Sequence, residues 1–250
     1  MDHSRSVVDC RGISKTFRSA TILRNICLAV PEGTILGMVG PNGAGKTTLL
    51  KVLATLVIPS SGDAFVCGHH VVNEPGAVKR SIGYVSSEER SFYWRLKGRD
   101  NLLFFAALQG ITGRMARGRV DRVLDQLGLT GIGARRFHEN STGMKQALAI
   151  ARGLVHSPAV LLLDEPTRSL SPDTARNIRA LIQRQAKEEG MAVLISSHNL
   201  REVETLADQI AFIDNGAIKA MGPLDQLRSA AGLSPTTDLD TLFDHFTRSR

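Results

Sequence analysis

The stretch Ile35-Leu36-Gly37-Met38-Val39-Gly40-Pro41-Asn42-Gly43-Ala44-Gly45-Lys46-Thr47 decides how this chain reads. A short apolar run, Ile35–Val39, leads into a glycine-rich loop and then into a helical run from Thr48 to Leu56. Strand, loop and helix in that order fit GxxxxGK[ST], a phosphate cradle. Glycines let backbone N–H groups curl around phosphate oxygens, and the helix N-terminus adds a favourable dipole. Gly40, Pro41, Asn42, Gly43, Ala44, Gly45, Lys46, Thr47 and Thr48 are therefore candidate nucleotide-binding residues. Lys46 is expected to reach the β- and γ-phosphates, and the Thr47 hydroxyl to ligate Mg²⁺.

Further along, Val160–Leu163 is an apolar strand that ends in two adjacent carboxylates, Asp164 and Glu165, followed by Pro166. Two charges at the end of a buried strand are expensive unless they do chemistry. Asp164 is expected to face the magnesium shell, and Glu165 to polarise the attacking water as general base. These two elements alone leave kinases, GTPases and motor ATPases open.

The rest of the chain supplies the frame. Runs at Val7–Cys10 and Ile26–Val30 make the opening strand-rich, and Pro31-Glu32-Gly33 reads as the turn before Ile35–Val39. Apolar residues at helical spacing over Asn101–Leu108, Val120–Leu127 and Gly143–His156 make the middle helical. Val160–Leu163, the helical stretch Asp173–Lys187 and Ala192–Ser196 then give the strand–helix–strand pattern of a parallel sheet. The expected fold is α/β with a helical insert at about residues 86–156. Length agrees, since 250 residues can bury a core without disulfides or structural metal.

Composition excludes several classes. With 42% hydrophobic and 22% charged residues the chain is neither disordered nor fibrous. Cys10, Cys27 and Cys67 form no CxxC pair, which fits a reducing compartment. Met1–Cys10 has no apolar core segment, so no signal peptide is expected there. The longest apolar run, Leu102–Leu108, is far short of the roughly 18 residues that span a bilayer. The net charge of +7 comes from scattered Lys and Arg without a nucleic-acid-binding signature, so no nucleic-acid partner is expected.

The stretch Asn140-Ser141-Thr142-Gly143-Met144-Lys145-Gln146, 23 residues before Asp164 counted from Ser141, resembles the signature of the ABC ATPase family, usually written LSGGQ. His198, after strand Ala192–Ser196, matches the switch histidine of that family, and Phe17 matches its adenine-stacking aromatic. The resemblance covers residues from about 7 to 225. It implies a P-loop NTPase core of RecA-like type, an N-terminal antiparallel β subdomain and an inserted α-helical subdomain. It further implies an ATPase using ATP and Mg²⁺, with Glu165, His198 and Lys46 catalytic and Ser141 and Gly143 contacting nucleotide. A head-to-tail dimer, in which the phosphate loop of one chain and the signature helix of the other sandwich each ATP, would drive a separate integral-membrane permease from the cytoplasmic face of the membrane. The run Gly98–Phe105 is similar to bacterial ABC-2 type exporters. A soluble ABC ATPase, in cluster assembly or regulation, is the alternative.

Three features depart from the family pattern. Ser87 stands where a magnesium-contacting glutamine is usual, so either Ser87 holds the metal through water or Glu88 or Glu89 takes over. Asn140 replaces a leucine, and Thr142 replaces a glycine, adding a Cβ near the backbone that must approach phosphate, which is expected to slow hydrolysis. Ser169-Leu170-Ser171 replaces a stretch that usually ends in aspartate. The aromatic segment Phe92-Tyr93-Trp94 reads either as a docking surface for a permease helix or as packing inside the insert, and Phe104 and Phe105 read as core. The cassette is expected over residues 1–226, with 227–250 as a tail. In that tail Leu239, Leu242, Phe243 and Phe246 make one apolar helical face, for packing on its own domain or on a partner.

Overall fold

A computed structural model describes residues 6–86, 91–167 and 170–248. Among them two sheets form. Strands β1 (Ser6–Phe17) and β2 (Ala20–Pro31) make an antiparallel hairpin, which β4 (Ser61–Val66) and β5 (His69–His70) extend in the order β2-β1-β4-β5. The second sheet runs β10-β9-β3-β8-β7-β6, from β3 (Ile35–Val39), β6 (Ile82–Val85), β7 (Val160–Asp164), β8 (Ala192–Ser196), β9 (Gln209–Asp214) and β10 (Ala217–Gly222). All its pairings are parallel except that of β10 with β9. β3, β7 and β8 are buried along their whole length, as expected of continuous apolar runs covered on both faces.

Helix α1 (Lys46–Leu53) leaves β3 and α2 (Pro75–Ser81) precedes β6, while α3 (Gly98–Leu108), α4 (Gly113–Gln126), α5 (Thr130–Gly133) and α6 (Thr142–Leu154) lie between β6 and β7. Helix α7 (Pro172–Glu189) crosses from β7 to β8, and α8 (Leu200–Leu206), α9 (Leu224–Ala230) and α10 (Leu239–Arg248) follow. Two ends are set by hydroxyls. The Met144 N–H donates to Ser141 Oγ at the start of α6, and the Thr174 N–H to Ser171 Oγ at the start of α7, each at 3.3 Å. Ser171, one of the unusual residues, thus serves as a helix cap.

The aromatic segment divides. Phe92 is buried and stacks on Phe137 with ring centroids 4.4 Å apart, whereas Tyr93 and Trp94 are 52% and 61% exposed. Phe105 packs against the core, but Phe104 is a surface residue with its ring edge-on to Tyr93, contrary to the expectation of a core position. Neighbours on an apolar helical face share a direction only approximately, and Phe104 falls on its rim.

The tail packs on its own chain. Leu239 and Leu242 are buried, and Phe243 and Phe246 meet Phe212 of β9 at 5.9 and 5.6 Å. Leu242→Ala should therefore lower unfolding stability by about 2–5 kcal/mol in a denaturant titration; an unchanged midpoint would show that α10 is not docked in solution.

Candidate functional site

The carboxyl ends of β3, β7 and β8 are level, since Met38 pairs with Ser196 and Ser196 with Asp164. The loops that follow these strands therefore gather at one edge of the sheet, where open α/β folds place their ligands. Two glycines shape the first loop. A Cβ on Gly40 would lie 2.1 Å from the Ile213 carbonyl oxygen, and Gly45, at φ +107°, is the residue from which α1 starts. Leu49, Leu50, Val52 and Leu53 bury one side of α1 and so fix the direction of its N-terminus.

The Lys46 ammonium turns back over the loop and donates to the carbonyls of Gly40 at 2.6 Å and Pro41 at 3.1 Å. Burial pulls its pKa below the ordinary lysine value, against which Glu165 and Asp164 act. The Thr47 hydroxyl faces both oxygens of Asp164, at 2.9 and 3.0 Å. Asp164, only 2% exposed, also accepts from Ser196 Oγ at 2.6 Å. A threonine hydroxyl beside a carboxylate is a hard-oxygen donor pair, which fits Mg²⁺ completed by substrate phosphates and water. Among the described residues no group of three or more His, Cys, Asp or Glu could hold a metal by itself.

Glu165 adopts φ +50°, a left-handed backbone that costs a residue with a Cβ about 1–2 kcal/mol. Its N–H donates to the Ser196 carbonyl at 3.0 Å, and its carboxylate lies 2.6 Å from His198 Nδ1. With the carboxylate as acceptor, that ring nitrogen carries the proton.

A cavity of about 570 Å³ joins these groups. It is lined by Phe17 and Ile22, by residues 42–48, and by Asp164, Glu165 and His198. Gly40 and Pro41 enter only through their carbonyls on Lys46. Ser141 and Gly143 do not line this cavity, being at the N-terminus of α6, and Ser87, Glu88, Glu89 and Ser169 lie outside the described residues. Sequence reasoning missed Ile22 and Ser196, and Ser196 carries no signal beyond ending an apolar strand.

A strand opening into a glycine-rich loop, with a second strand, separated from it by β8, that ends in two carboxylates, defines a P-loop nucleoside triphosphatase. The comparisons narrow the class. The sequence model of the ABC transporter family matches residues 23–168. The doxorubicin resistance ATP-binding protein DrrA of Mycobacterium tuberculosis is 38% identical over 234 residues, covering 93% of this chain and 70% of that protein. A solved ATP-binding subunit of an ABC transporter superposes with a TM-score of 0.89 at 25% identity, covering 96% of this chain and 99% of the other. The dimeric bacterial ABC transporter cassette MJ0796 has the same fold, with a TM-score of 0.80 at 23% identity over 87% and 98% of the two chains. The chain belongs to the ABC transporter family. It is an ATP-binding, ATP-hydrolysing subunit of such a transporter.

Replacing the buried ammonium tests the cradle. Lys46→Ala should weaken ATP binding by about 10- to 100-fold in a fluorescent-nucleotide titration; an unaltered Kd would place the nucleotide elsewhere.

Proposed function

We propose that the cavity is one half of a composite ATP site and that the chain powers export through a separate integral-membrane permease. The observation that carries this reading is the meeting of Lys46, Thr47, Asp164, Glu165 and His198 on one cavity that Ser141 and Gly143 do not reach. A site lacking its signature residues is completed when a second copy, head to tail, brings its α6 N-terminus over the bound ATP. The dimeric cassette with the same fold supports that arrangement.

In this reading Phe17, exposed at the end of β1, stacks on the adenine. The N–H groups of residues 42–48 surround the phosphates, and Lys46 moves from the Gly40 and Pro41 carbonyls to the β- and γ-oxygens. Thr47 and Asp164 would hold Mg²⁺, which when bound would neutralise charge on the phosphates. Glu165 takes a proton from the water that attacks the γ-phosphorus, as the bond from that phosphorus to the β–γ bridging oxygen breaks and ADP leaves. His198 orients Glu165 through Nδ1, and Nε2 donates to the γ-phosphate when the ring is the doubly protonated imidazolium. Closing on ATP and opening after hydrolysis then become two states that a membrane partner can follow.

In this reading the catalytic cassette spans residues 1–226 with the helical subdomain at about 86–156, and the tail 227–250 docks through α10. Among the described residues no helix is long and apolar enough to cross a membrane, so the permease is a different chain or segment. Tyr93 and Trp94 offer it a surface. They are tied to the lead-in of the signature helix, because Phe137 N–H donates to the Leu96 carbonyl at 2.9 Å and His138 N–H to that of Trp94 at 3.1 Å. The Lys145 ammonium of α6 lies 4.9 Å from the Trp94 ring centroid. The permease would hold the chain at the cytoplasmic face of the membrane, and the resemblance to a drug-resistance subunit supports export.

Glu165→Gln separates binding from chemistry. Turnover should fall by roughly 10²- to 10⁴-fold while ATP stays bound, and in ATP–Mg²⁺ the variant should sediment at twice the 27.1 kDa of one chain. Unchanged turnover contradicts Glu165 as the base, and a monomer that retains ATP contradicts the composite site.

A further inference from the structure

Glu202 lies in the first turn of α8, 3% exposed, and has no part in the site as described so far. One carboxylate oxygen, Oε2, accepts from the Thr167 hydroxyl at 2.6 Å and from the Ser197 hydroxyl at 3.1 Å. The other, Oε1, is buried without a hydrogen-bond partner. Two neutral hydroxyls are poor compensation for a buried charge, and glutamine would accept the same two bonds at lower desolvation cost. A buried, half-satisfied carboxylate therefore needs a reason beyond packing.

Its two partners supply that reason. Thr167 stands two residues after Glu165, and Ser197 immediately precedes His198. Ser197 is itself held, since its N–H donates to the Met38 carbonyl at 3.3 Å and its Oγ accepts from the Asn199 N–H at 3.0 Å. The carboxylate thus joins the loop after β7 to the loop after β8, and the same two loops meet again where Glu165 approaches His198 at 2.6 Å. Glu165 sits on strained left-handed backbone, which persists only when its surroundings hold it.

We propose that Glu202 is a positioning residue for hydrolysis. Through Thr167 and Ser197 it fixes the loop of the general base against the loop of the switch histidine, so that Glu165 and His198 present one geometry to the γ-phosphate. The inference rests on the roles given above to Glu165 and His198. Glu202 does not line the nucleotide cavity, and the phosphate loop belongs to β3 and α1, so loss of the clamp acts on the chemical step and spares ATP binding. A misplacement of about 1 Å can cost about 100-fold in rate.

The test is steady-state ATP hydrolysis by the full chain carrying Glu202→Ala, Thr167→Val, Thr167→Ser, or Glu202→Ala with Thr167→Val. The first two variants should lower kcat by about tenfold or more with KM for ATP within about twofold of the parent. Thr167→Ser keeps the hydroxyl and should recover most of the loss seen with valine. The double variant should be no slower than the slower single one, because both break the same contact. Should Glu202→Ala not fold, the valine and serine variants of Thr167 read the contact from its other side. The proposal is overturned if kcat is unaltered, if serine and valine are equally impaired, if the losses multiply, or if KM rises alone. Glu165→Gln in parallel separates the two claims: full turnover there contradicts the site itself, whereas a dead Glu165→Gln beside normal Glu202 and Thr167 variants contradicts only the clamp.

Discussion

The bonds that Asp164 accepts from Thr47 and Ser196 hold the site together. A carboxylate almost fully withdrawn from water must find donors, and these come from the first turn of α1 and the end of β8. With the level ends of β3, β7 and β8, that requirement sets the glycine-rich loop, the loop of Glu165 and the loop of His198 around one cavity. The same cluster stores tension. Lys46 is buried beside the two acids, its own charge disfavoured by desolvation, and Glu165 adopts a backbone that side-chain-bearing residues avoid. Such a cluster relaxes most fully when phosphates and a divalent cation supply the charges it is shaped for.

One chain carries the means to hold and polarise a nucleotide, yet Ser141 and Gly143 at the start of α6 do not line its own cavity. In the proposed dimer the distance between the two is closed only by a neighbour, so ATP becomes the material that joins two chains. The backbone pairing between the Tyr93–Leu96 segment and the signature lead-in then gives a membrane partner a lever on the helix that completes the site. Asn140, buried just before that helix, leaves its Oδ1 without a partner, and nothing in the structure explains the substitution for an apolar residue.

Much of this was legible in the sequence because the chemistry demands particular residues at particular spacings. The phosphate loop, the paired acids and the three buried central strands were read from residue type alone, and the tail helix from its i, i+3, i+4, i+7 face. Sequence reading failed where a position depends on what lies opposite in space. Phe104 shares an apolar run with Phe105 but lies at the rim of its helix. Ser196, Ile22 and Glu202 are ordinary residues made significant by register and burial. Strands β4 and β5 escaped notice because β4 opens on the exposed Ser61-Gly62-Asp63 and β5 has two residues, with their pattern set by pairing to β1 and to one another.

The central claim is that this chain is the engine of a separate membrane protein. Affinity purification of the tagged chain from detergent-solubilised native membranes, with the bound proteins identified by mass spectrometry, tests it most directly. The account predicts a polytopic membrane protein in near-equal amount. Recovery from the cytosol with soluble partners alone would contradict it, and the exposed Tyr93 and Trp94 would then belong to a different interface.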